Sequence, residues 1–60
     1  MPTVRVEMYT GRTHEQKAEL AQAITEAVVA IAKTTPEATQ VVFYDVPKSD
    51  WAIGGKLSDG

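Results

Sequence analysis

The strongest constraint on this chain is its punctuation, two short stretches of strand character separated by one long helical stretch. Residues 3–9, TVRVEMY, alternate: Val4, Val6 and Met8 lie on one face and Thr3, Arg5, Glu7 and Tyr9 on the other, the period of a half-buried strand. Thr10-Gly11-Arg12 is a turn in which Gly11 is free to take a positive φ. THEQ at 13–16 then reads as a capping box, with Thr13 accepting from the Gln16 backbone N–H and the Gln16 side chain reaching back. Glu15 suits the positive end of the helix dipole and Lys33 the far end. Between them Leu20, Ile24, Ala27, Val28 and Ile31 recur at three- and four-residue spacing, which predicts one apolar face on a helix from about 14 to 33. Pro36 biases Thr35 out of the helical region and closes it. QVVFYDV at 40–46 is apolar on both faces apart from Gln40 and Asp45, as in a strand covered on both sides. Two strands joined through a helix of this length should be parallel, with a right-handed crossover.

Sixty residues leave room for one domain, 1–60, of the α+β class. The single helix covers only one face of a two-stranded sheet. A chain this short buries only about 60% of its unfolded surface when it folds alone. With no cysteine there is no disulfide to compensate, and His14 stands alone, so no metal cluster or cofactor is expected. The remaining way to stabilise such a chain is association with further copies, so we expect an obligate homo-oligomer. In the tail, Trp51-Ala52-Ile53 precedes Gly54-Gly55, and residues 51–57 are expected to form a hairpin or small arm that reaches onto a neighbour. The net charge of −2 and the absence of a basic run argue against a nucleic-acid partner. No apolar run approaches the length of a membrane span and no signal peptide is visible, so a cytoplasmic protein is expected.

Few residues offer chemistry. His14 in the first helical turn and Arg12 just ahead of it are ordinary solvated groups on composition alone, and Gly54-Gly55 with no following helix is a turn rather than a phosphate cradle. Pro2 has two readings. Proline is tolerated at the first residue of a strand. If Met1 is removed, however, Pro2 carries a secondary amine, and burial lowers the pKa of such an amine toward the range useful for a general base. The residues themselves leave the choice open.

Pro2 after Met1, GRTHEQK at 11–17 and AIGGKLSD at 52–59 together resemble the 4-oxalocrotonate tautomerase family, in register over nearly the whole chain. The resemblance implies a β-α-β fold with parallel strands and a short C-terminal hairpin, dimers assembled into a hexamer, and active sites at subunit boundaries. It implies that Pro2, once processed, is the general base of an isomerase acting on 2-hydroxy-dienoates or related enol/keto carboxylic acids. By the same resemblance Arg12 holds a substrate carboxylate from an adjacent subunit, and Trp51 replaces a pocket phenylalanine. One position departs from the pattern: the best-known members carry a second arginine where this chain has Gln40, whose amide binds substrate without a charge. A retained Met1 would make the Pro2 nitrogen a tertiary amide and the enzyme inactive. Two alternatives follow, a related hydratase or dehalogenase of haloacrylates, which needs a carboxylate to activate water, and a non-catalytic oligomeric member.

Overall fold

The computed structural model describes all 60 residues. The elements are β1 (Thr3–Tyr9), α1 (His14–Ala32), β2 (Gln40–Val46), β3 (Ala52–Ile53) and β4 (Lys56–Leu57). β1 and β2 are parallel and pair from Thr3 opposite Gln40 to Tyr9 opposite Val46. One further hydrogen bond extends the ladder at each end: Gln40 N–H donates to the Pro2 carbonyl (2.9 Å), and Thr10 N–H donates to the Val46 carbonyl (3.1 Å).

The capping box forms as expected. Gln16 N–H donates to Thr13 Oγ1 at 3.1 Å and Thr13 N–H donates to Gln16 Oε1 at 2.9 Å, so two otherwise unpaired donors at the helix start are satisfied reciprocally. The far end differs slightly from the sequence expectation. The helix stops at Ala32, and Lys33 is its C-cap in the left-handed region (φ 59°), turning the chain out rather than closing the helix by charge. Thr35 is extended, and Pro36 opens a single 3₁₀ turn, Pro36–Ala38, that Thr35 caps through its Oγ1.

The register places Val4 beside Val41, Val6 beside Phe43 and Met8 beside Asp45 on one sheet face. Lys17 of α1 makes an ion pair with Asp45, so this is the face the helix covers. The half-buried stripe of the helix that meets it runs through Lys17, Ala21, Ile24, Thr25, Val28 and Val29. This corrects the expected apolar face: Ile24 and Val28 point inward, whereas Leu20, Ala27 and Ile31 form a second stripe that stays exposed, Ile31 at 81%. A two-stranded sheet is too narrow to cover both stripes.

The opposite sheet face, with Thr3, Arg5, Glu7, Tyr9, Gln40, Val42, Tyr44 and Val46, has no helix over it. Val42 and Tyr44 are exposed there, so β2 is not covered on both sides within one chain. No residue of the isolated chain is fully buried, and its accessible surface is 4566 Å². A compact monomer of this mass exposes only about 3,800 Å². The radius of gyration is 14.2 Å, against about 10 Å for a compact chain of this length. The fold is an open plate with an arm, and much of its apolar surface is uncovered within one chain.

The arm follows Val46. A 3₁₀ turn at Lys48–Asp50 leads into the β3–β4 hairpin, whose turn residues Gly54 and Gly55 both have positive φ (60° and 83°), as a two-residue hairpin turn requires. Ala52 pairs with Leu57 and Ile53 with Lys56.

Candidate active site

The four residues expected to form a site separate into two pairs at opposite ends of the sheet. Pro2 and Gln40 share one end. Pro2 is half-buried at the foot of β1, and its carbonyl accepts the Gln40 N–H. The Gln40 side chain stays at this end too, its Nε2 donating to the Met1 sulfur at 3.7 Å. Met1 itself is 87% exposed, so the bond whose cleavage would free the Pro2 nitrogen lies at the surface. While Met1 is attached that nitrogen is a tertiary amide with no basic lone pair.

Arg12 and Trp51 belong to the other end. Arg12 lies in the exposed turn between β1 and α1. Trp51 is half-buried at the root of the arm and meets the Tyr9 ring edge-on, with centroids 5.0 Å apart and planes inclined by 65°. β1 is extended from Thr3 to Tyr9 and its ladder bonds reach from Pro2 to Thr10, a span of about 26 Å at about 3.3 Å per residue. No side chain bridges that length, so Pro2 and Arg12 of one chain cannot touch the same small molecule.

The hollows of the single chain agree with this division. The largest, about 510 Å³, lies along α1 between Ala21, Thr25, Val29 and Pro36 and contains none of the four residues. It is an open helix flank whose only ionisable lining residue is Glu26. A groove of about 380 Å³ does include Trp51, together with Glu7, Val46, Asp50 and Ala52. Pro2, Arg12 and Gln40 line none of these hollows.

The structure adds two features that sequence reasoning did not single out. One is the Lys17–Asp45 ion pair, which ties the first turns of α1 to the end of β2. The other is Tyr9, read from alternation as an outward polar position. It donates from its hydroxyl to Ser58 Oγ at 2.8 Å, and the Lys48 ammonium lies 5.3 Å from its ring centre. Local periodicity carries no signal for contacts made so far along the chain.

A β-α-β plate carrying a proline next to its N-terminus, an arginine in the turn after β1 and a glycine-turned arm is the tautomerase type of chain, and the family model described as tautomerase enzyme matches residues 2–59. A probable tautomerase from Streptococcus thermophilus is 39% identical over 57 residues, covering 95% of this chain and 93% of that one. Among solved structures, YwhB, a homologue of 4-oxalocrotonate tautomerase, superposes with a TM-score of 0.92 at 36% identity, covering 97% of this chain and 95% of its own. A heterohexameric 4-oxalocrotonate tautomerase from Chloroflexus aurantiacus superposes with a TM-score of 0.91 at 34% identity, covering 98% and 95% respectively. The chain belongs to the 4-oxalocrotonate tautomerase family.

Proposed function

We propose that this protein is a tautomerase of 2-hydroxy-dienoates or related enol/keto acids, a single domain over residues 1–60 that works in the cytoplasm as a homohexamer without a metal or cofactor. Pro2, freed of Met1, is the base. Its nitrogen accepts the enol hydroxyl proton as the carbonyl forms, and the resulting ammonium returns a proton to carbon. Gln40, on the neighbouring rung, donates a neutral hydrogen bond toward the substrate oxygen. Arg12 of another chain holds the carboxylate, and Trp51 excludes water from the amine, which keeps the amine pKa below its ordinary value.

The observation that carries this reading is the separation of the four residues. Two lie at each end of an extended strand, and a plate with no fully buried residue has to meet other plates. Chains assembled so that one end meets another's opposite end bring base, amide, cation and aromatic wall together. The test compares protein shown by intact mass to lack Met1 with protein shown to retain it, using phenylenolpyruvate and 2-hydroxymuconate. Only the Met1-free form should turn over, and its kcat/KM should fall with acidity around a pKa lower than that of an ordinary secondary amine. Equal activity from both forms rules out Pro2.

One observation favours a second reading. Glu7 and Asp50 line the groove beside Trp51, and a carboxylate in that position can activate water for hydration or dehalogenation of a haloacrylate. Halide release from 3-chloroacrylate that is lost in Glu7→Gln or Asp50→Asn would support it. No halide release from the wild type would dismiss it.

A further inference from the structure

The side-chain hydrogen bond and the ring contacts between the plate and the arm that carries Trp51 all come from Tyr9. The arm's hairpin strands are two residues each, Ile53 is 65% exposed and Leu57 52% exposed, so the arm has no core to fix its angle. What holds it is Tyr9. The Tyr9 ring takes the edge of Trp51 at 5.0 Å, its hydroxyl donates to Ser58 Oγ at 2.8 Å, and Lys48 Nζ lies 5.3 Å from its centre. These partners come from the start, the root and the end of the arm. The loop closes on itself as well: Ser58 N–H donates to the Trp51 carbonyl at 2.8 Å, so the residue that receives the Tyr9 hydroxyl also restrains the Trp51 backbone.

We propose that Tyr9 is the positioning residue of the site: through its hydrogen bond to Ser58 and its edge contact with Trp51 it latches the arm and sets the placement of the Trp51 wall. This rests on the reading of Trp51 as the wall that keeps water from Pro2. The position of Tyr9 on the uncovered sheet face, with a phenol long enough to reach Ser58, gives it this function, and a shorter apolar side chain would leave the arm hinged at Pro47.

The experiment uses Met1-free assembled protein and three single variants, Tyr9→Phe, Ser58→Ala and Trp51→Ala, with the double variant Tyr9→Phe/Ser58→Ala. Trp51 is the sole tryptophan, so acrylamide quenching of its fluorescence reads wall placement without reference to activity. Tyr9→Phe and Ser58→Ala should each raise quenching and lower kcat/KM for phenylenolpyruvate about 2- to 12-fold, the loss of one hydrogen bond expressed as a ratio. Their pH–rate profiles should move toward the ordinary amine pKa, and the double variant should be no worse than either single one, since both remove the same bond. If Tyr9→Phe does not fold, Ser58→Ala reads the same contact from its other side. Unchanged quenching and unchanged kcat/KM in both singles, with Trp51→Ala impaired, overturns the latch and leaves the wall standing. Wild-type kinetics in Trp51→Ala overturns the wall itself, and with it any catalytic part for Tyr9.

Discussion

The separation of Pro2 from Arg12 makes a numerical prediction. Two inactive variants, Pro2→Ala and Arg12→Ala, are unfolded together in equal amounts and refolded as mixed assemblies. If both groups of a site came from one chain, every site in every mixture would carry one lesion or the other, and activity would stay at the background of the parents. The span of about 26 Å from Pro2 to Thr10 is too long for that arrangement, and in the proposed site the two groups come from different chains. With random assortment across a shared interface, about one site in four receives Pro2 from an Arg12→Ala chain and Arg12 from a Pro2→Ala chain. The mixture should therefore regain about a quarter of wild-type activity from parents that lack it. The assay is the absorbance change of phenylenolpyruvate ketonisation, with native mass spectrometry of mass-tagged chains to show that mixing is complete. Varying the input ratio should trace a parabola with its maximum at equal proportions. Fully mixed assemblies with no recovered activity would refute the shared site, whatever their oligomeric state.

Three other perturbations test separate parts of the reading. Gln40→Arg, at an exposed position with room for a longer side chain, exchanges a neutral hydrogen bond for a charged one; it should raise kcat/KM for 2-hydroxymuconate about 5- to 30-fold, and an unchanged value would remove position 40 from the substrate-binding set. Val42→Asp places a carboxylate on the uncovered sheet face, where desolvation on assembly costs several kcal/mol; sedimentation should show loss of the oligomer together with loss of helical circular dichroism, and a folded monomer at micromolar concentration would contradict the need for partners. Thr13→Ala removes the helix cap and should cost about 0.5–2 kcal/mol per chain in urea unfolding at fixed protein concentration, without altering the pH–rate profile. A shifted profile would mean that the cap positions Arg12 more tightly than an exposed turn suggests.

The sequence reveals local features well and distant ones poorly. The bounds of β1 follow from alternation and those of β2 from a short apolar run, each with the residues that flank it, and the capping box follows from Thr13 and Gln16 because each signal lies within a few residues. Which apolar stripe of α1 faces inward is a different matter. Leu20, Ile24, Ala27, Val28 and Ile31 satisfy helical spacing equally well, and only the width of the sheet decides that Lys17, Ala21, Ile24 and Val28 pack while Leu20 and Ile31 remain outside. Lys17 is instructive here, since a charged residue is half-buried on the inward stripe while its ammonium reaches Asp45. The placement of Pro2 and Gln40 on adjacent rungs is legible once the strands are known to be parallel and in register. The Tyr9 contacts with Trp51 and Ser58 are not, because no periodicity links residues on either side of the helix crossover and the arm.

The proposed arrangement, in which the two ends of one strand serve different catalytic centres, also has an evolutionary consequence. After gene duplication, damage at the Pro2 end of one copy and at the Arg12 end of the other is complementary rather than cumulative, because co-assembled chains still present intact pairs. Each copy then becomes indispensable to its sister, and selection acts on the two ends of β1 as separate traits. A lineage with this architecture passes from one gene to two mutually dependent genes through losses alone, without acquiring any new residue.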